Sequence, residues 1–69
     1  MKRSSVAARD IRKGQCLYVP GAELHDDLAG LVVVLVADDI GRADGRTRIY
    51  DRRSESWTTF RDDEQVRLS

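Results

Sequence analysis

One cysteine, one histidine, one proline and one tryptophan occur in the 69 residues of this chain, and its longest apolar run is Leu31 to Ala37. A single thiol cannot close an internal disulfide. One Cys and one His cannot supply the four ligands of a structural zinc site within one chain, so no metal or other cofactor is expected. The Leu31 to Ala37 run falls far short of the about 20 apolar residues of a membrane-spanning helix and has the length of a strand. The basic start, Met1-Lys2-Arg3-Ser4-Ser5, is not followed by the apolar stretch of about 7 to 15 residues that a secretory signal needs. A cytoplasmic protein with no membrane partner is therefore expected. Net charge is also missing: 12 Lys+Arg balance 12 Asp+Glu, which withholds the overall basic footprint of a typical nucleic-acid-binding domain.

What is present suits one small folded unit. The chain is 41% hydrophobic, enough for a core, and 35% charged, which fits a small body with much surface rather than a disordered tail. At this length folding buries only about 60% of the unfolded chain's surface, so tight packing or self-association is expected to supplement the core. Ten of the twelve basic residues are arginine, a bias typical of GC-rich bacterial coding sequences. The charges fall in blocks, basic over residues 1–22 and 40–54, acidic over 23–39 and 55–69. Interleaved blocks of this kind are expected to end as neighbouring surface ion pairs rather than as a continuous basic track.

The local signals are those of a β protein with minor helical turns. Residues 1–9 read as a flexible basic N-terminus, and residues 10–69 as a single domain. Asp10-Ile11-Arg12-Lys13-Gly14 reads as a turn-like step ended by glycine, and Gln15 to Val19 as a first strand stopped by Pro20-Gly21. Residues 22–29 read as a loop, with Leu24 and Leu28 on one side of a helical turn. Leu31 to Ala37 is the clearest strand. Asp44-Gly45 is a tight-turn signal inside a longer hairpin connection that leads to Thr47-Arg48-Ile49-Tyr50. The next hairpin reverses over Asp51 to Ser56, where the Asp51 carboxylate can accept backbone N–H groups of the turn. Trp57 to Phe60 is a fourth strand, Asp62-Asp63-Glu64 a short helical step, and Val66-Arg67-Leu68 a closing strand.

This order of five strands resembles the small, mainly antiparallel SH3-like β-barrels. The resemblance spans residues 10–68. Gly14-Gln15-Cys16-Leu17-Tyr18 is similar to the opening strand of Tudor, KOW and related modules, and Gly30-Leu31-Val32-Val33 to the start of their second strand. It implies a five-stranded barrel used as a binding scaffold, without fixing a ligand. Small orphan proteins of this size are also carried by bacterial mobile elements such as integron gene cassettes and phages. One such barrel, the plasmid- and integron-borne trimethoprim-resistant dihydrofolate reductase, works as a homotetramer with a Val-Gln-Ile-Tyr strand lining its pore. Thr47-Arg48-Ile49-Tyr50 shares only the Ile-Tyr half of that strand. An enzyme with a site shared between subunits is accordingly the third functional expectation.

The second strand carries the first expectation. A strand with one wet face should alternate, yet residues 31–37 are apolar throughout, with Leu31, Val33, Leu35 and Ala37 on one face and Val32, Val34 and Val36 on the other. Both faces need cover, and Val32, Val34 and Val36 are the candidate oligomer interface. The expected function is a non-enzymatic protein-interaction or assembly module that self-associates as a homo-oligomer. The second expectation is nucleic-acid binding, on a candidate surface of Arg46, Arg48, Tyr50, Arg52, Arg53 and Trp57, where guanidinium groups meet phosphates and aromatic rings meet bases. His25-Asp26-Asp27 reads as a solvated loop tip and Cys16 as a small buried thiol. Trp57 and Phe60, three apart on one strand, must face opposite sides, so only one belongs to the core.

Overall fold

The computed structural model describes residues 4–69. Seven strands form two antiparallel sheets. The first sheet has the order β1 (Ser5–Ala7), β7 (Gln65–Leu68), β2 (Cys16–Pro20) and β3 (Val32–Val36); the second has the order β4 (Asp39–Ala43), β5 (Arg46–Asp51) and β6 (Ser56–Arg61). Among the described residues, helical content is limited to three single 3-10 turns, Ala8–Asp10, Gly21–Glu23 and Asp26–Leu28. The fold is thus mostly β, as expected. It departs from the expected five-stranded barrel in strand number and in closure, since the two sheets are not joined into a closed ring of paired strands.

The two unexpected strands, β1 and β4, have little hydrophobic signal of their own. Ser5–Ala7 lies in the segment read as a flexible N-terminus, but it pairs with β7, Val6 opposite Val66, and Val6 packs against the core. The part of that segment at residues 1–3 lies outside the described residues. Asp39-Ile40-Gly41-Arg42-Ala43 contributes one large apolar side chain, Ile40, to the core. It is a strand because β5 supplies its hydrogen-bonding partner throughout its length. Charged side chains are usual on edge strands. The Asp44-Gly45 turn is consequently a two-residue hairpin loop and not part of a longer connection. Asp44 (φ 54°) and Gly45 (φ 73°) both take the left-handed region that such a loop requires.

The core lies between the inner faces. Leu17 and Val19 of β2, Leu35 of β3, Ile49 of β5, Phe60 of β6 and Val66 of β7 form one buried cluster with Ala8, Ile11 and Ala37 of the connecting segments. The period of two places alternate residues of each strand in this cluster and their neighbours outside it. Phe60 is accordingly the core aromatic of its strand and Trp57 the outward one. The loop between β2 and β3 folds back over the cluster. A Cβ at Gly21 would collide with the Leu28 carbonyl oxygen, so the glycine lets the two 3-10 turns touch, and Leu24 packs beneath them against the core.

Two polar residues are buried, and each joins separate parts of the chain. Thr47 Oγ1 donates to Asp62 Oδ1 at 2.7 Å, fastening the turn that follows β6 to β5. Asp51 is 2% exposed at the end of β5. Its Oδ1 accepts the backbone N–H groups of Arg53 and Ser54 at 2.8 and 3.3 Å, as the sequence suggested, and its Oδ2 accepts the Val36 N–H of β3 at 3.1 Å. Burial by itself raises this carboxyl's pKa, but the three N–H donors and the Arg53 charge together hold it below the ordinary value. One carboxylate thereby ties the edge of the first sheet to the second hairpin of the other.

Candidate functional site

The sequence-predicted residues fall on two separate outer faces. On the first sheet, the register Cys16 opposite Val36, Tyr18 opposite Val34 and Pro20 opposite Val32 places all six residues on the outward side of β2 and β3. Val33 and Leu35 point the other way, into the core. Val32 is 63% exposed and Val34 37%, while Val36, Tyr18 and Cys16 are half-buried. The three valines are therefore brought together on one outer face, which the described residues leave partly exposed. Cys16 belongs to this face and is half-buried, not enclosed in the core as the sequence suggested. The Arg67 guanidinium lies over the Tyr18 ring, 4.8 Å from its centroid, and rims the patch with charge.

β3 is also the outer edge of its sheet. Gly21 N–H donates to Leu31 O and Ala37 N–H to Gln15 O, so odd-numbered residues turn their backbone groups towards β2 and Val32, Val34 and Val36 turn theirs outward. Much of that edge is occupied. Asp51 takes the Val36 N–H, Asp38 N–H donates to Val36 O at 2.9 Å, and Arg53 Nη2 donates to Val34 O at 3.1 Å. Capping of this kind blunts pairing with another strand.

On the second sheet the outward residues form three rows across β4, β5 and β6. Asp39, Tyr50 and Trp57 make one row; Gly41, Arg48 and Thr59 the next; Ala43, Arg46 and Arg61 the third. Trp57 is 46% exposed. The Arg48 guanidinium lies 5.0 Å from its ring centroid, and the Tyr50 ring packs at 5.2 Å and 48°. Arg46, Arg48, Tyr50 and Trp57 are thus gathered on one face. Arg52 and Arg53 are not: they occupy the turn between β5 and β6, where Arg52 N–H donates to Asp38 Oδ2 at 2.7 Å and the Arg53 side chain is spent on Val34. Sequence reasoning missed Arg61, although its alternation with Trp57 and Thr59 would have placed it on this face. It also missed Gly41, whose strand had no hydrophobic signal.

The alternating charge blocks do not resolve into ion pairs as expected. Among the described residues, Lys13–Asp39 at 3.4 Å is the only lysine or arginine within 4 Å of a carboxylate. The Asp39 carboxyl is held below its ordinary pKa first by the Ile40 N–H, which it accepts at 2.9 Å, and then by Lys13. The arginines of the second sheet instead have glycine, threonine, aromatic rings or another arginine as cross-strand neighbours. His25 serves the loop: its Nδ1 accepts the Asp27 N–H at 3.1 Å and caps the Asp26–Leu28 turn. With Nδ1 so engaged, Asp27 Oδ2 at 3.6 Å is a contact rather than an ion pair. The described residues contain no group of three or more His, Cys, Asp and Glu placed to hold a metal ion, and no helix among them is long and apolar enough to cross a membrane. Comparison with protein families, curated proteins and solved structures finds no match to this chain.

Proposed function

We propose that this chain is a small, non-enzymatic assembly module of the cytoplasm that associates with a second copy of itself through the outer face of β2 and β3. The observation that carries this reading is the exposure of Val32 and Val34 beside Val36 on a strand that is apolar on both sides. A core of this size gains from further burial, and because Val32 and Val34 are 63% and 37% exposed, covering them contributes only a part of the about 1.5–3 kcal/mol of a fully buried side chain, before association costs. The capped edge favours stacking of two outer faces, about 10 Å apart, over continuation of the sheet from β3 to β3. A twofold axis near Val34 would bring the same patch from each copy together, with Arg67 at its rim. The open two-sheet layout and the similarity of its opening strands to Tudor and KOW modules support a relation to SH3-like scaffolds. The arginine usage and size support an origin on a bacterial mobile element.

The test is the solution mass by light scattering, over a range of concentration and at low and high salt. The expected mass is twice 7.8 kDa, insensitive to salt because the contact is apolar. Val34→Asp should return it to 7.8 kDa with the circular-dichroism spectrum of a β protein retained. A wild-type monomer at every concentration would refute the proposal.

A further inference from the structure

The outer face of the second sheet is independent of the apolar one, and its composition calls for a different partner. We propose that it binds single-stranded nucleic acid, with the phosphates at the Arg46–Arg61 end and an unstacked base on Trp57. Arg46 and Arg61 stand directly opposite one another across β5 and β6, an arrangement that destabilises a sheet unless an anion lies between the charges. Neither has a carboxylate within 4 Å among the described residues: Asp39 is engaged by Lys13 and the Ile40 N–H, and Asp44, which lines the cleft at the hairpin tip, is within 4 Å of no arginine or lysine nitrogen. Arg48 lies one row away on the same strand as Arg46, its Cα about 6.8 Å further along β5, so the three arginines form two rows of charge. That spacing is close to one extended nucleotide.

Gly41 adds a second, independent sign of close approach. Its φ is not positive, and a Cβ there would make only an ordinary 4.0 Å contact with Trp57. Neither conformation nor packing therefore demands glycine in this strand, where it weakens local structure. What its bare backbone provides is the floor of a cleft of about 400 Å³ between Arg46, Arg48 and Thr59. Trp57, outside the lining of that cleft but with its ring edge beside Gly41, offers a partly exposed ring with the Arg48 guanidinium 5.0 Å from its centroid. Guanidinium groups for phosphates and an open aromatic ring for a base are the elements of sequence-tolerant single-strand binding. A duplex cannot use the ring, because its bases are already stacked. The zero net charge of the chain confines the attraction to this patch, so the footprint is two to three nucleotides.

The experiment uses the full chain and the fluorescence of its single tryptophan, titrated with oligo-dT and oligo-U. Quenching by either is expected; quenching by only one would identify the sugar that is preferred. Three phosphate contacts predict a salt slope near −2, hence a loss of about twentyfold in affinity between 50 and 200 mM salt. The Arg46→Ala/Arg61→Ala double variant should reduce that loss to about threefold. Gly41→Val, a residue well suited to a strand, should fold as well as the parent and bind at least tenfold more weakly. Absence of quenching at the lowest salt would overturn the proposal. So would equal affinity for duplex DNA, or competition by polyglutamate at equal charge concentration, since either would show that the ring reads no base.

Discussion

The two sheets each bury one face in the shared core and turn the other to water, yet the two outer faces have opposite chemistry. The first presents Val32, Val34 and Val36 beside Tyr18 and Cys16; the second presents Arg46, Arg48 and Arg61 beside Tyr50 and Trp57. An apolar face is stabilised by losing its water, at any salt concentration, and so suits a permanent contact with a like surface. A cationic, aromatic face keeps its water until an anion arrives, and its contacts weaken as salt rises. On the two proposals made above, assembly and ligand binding would each use the outer face of its own sheet.

The largest effect should come from breaking the join between the faces. Asp51→Ala removes a buried acceptor of three N–H groups, and with hydrogen bonds to a charged group worth about 1.5–3 kcal/mol each, though not additively, we expect a loss of about 3 kcal/mol or more in urea unfolding. Such a loss exhausts most of the stability of a domain this small, and both faces should disappear together. The same carboxylate sets the acid limit. Its folded pKa lies below the unfolded value, so its contribution is complete above an ordinary value of 3.8 and is lost as pH falls through the folded value. Thermal melts between pH 7 and pH 2 should fall mainly below pH 4, and less so in Asp51→Asn.

Smaller effects should separate the faces. Val34→Asp is expected to change the monomer's own stability by no more than about 1 kcal/mol while halving the solution mass. Trp57→Ala should cost about 1 kcal/mol through the lost Tyr50 and Arg48 contacts and leave the mass unaltered. If Trp57→Ala instead produced monomers, the division of labour between the sheets would be wrong. Lys13→Ala, which removes an exposed ion pair, should leave the melting temperature unchanged within error.

Much of the fold is legible where a strand carries its own hydrophobic pattern. Gln15 to Val19, Leu31 to Ala37, Thr47 to Tyr50, Trp57 to Phe60 and Val66 to Leu68 all lie on strands close to the expected limits. So is the role of Asp51 in its turn, because an aspartate before a tight reversal has few other uses. β1 and β4 are not legible in the same way: each offers only one large apolar side chain, β1 depends on a partner distant in sequence, and β4 on a hairpin whose turn reads as part of a longer connection. Missing β4 concealed Gly41 and the two-residue turn at Asp44-Gly45. It also concealed that the arginines of the hairpin divide, with Arg46 and Arg48 on an open face while Arg53 reaches back to cap β3. Which of several adjacent arginines shares a face depends on register, and register follows from the pairing rather than from composition.

The three hydrogen bonds of Asp51 also have a kinetic consequence. The amides of Val36, Arg53 and Ser54 share a single acceptor residue, although they belong to a strand edge and a turn that are distant in sequence. These amides should exchange with solvent deuterium as one unit, in the same opening event, and their protection relative to the free amide should fall together as the carboxylate is protonated. The exposed turn is thereby protected to the same degree as the strand it touches, and loosening either would loosen both.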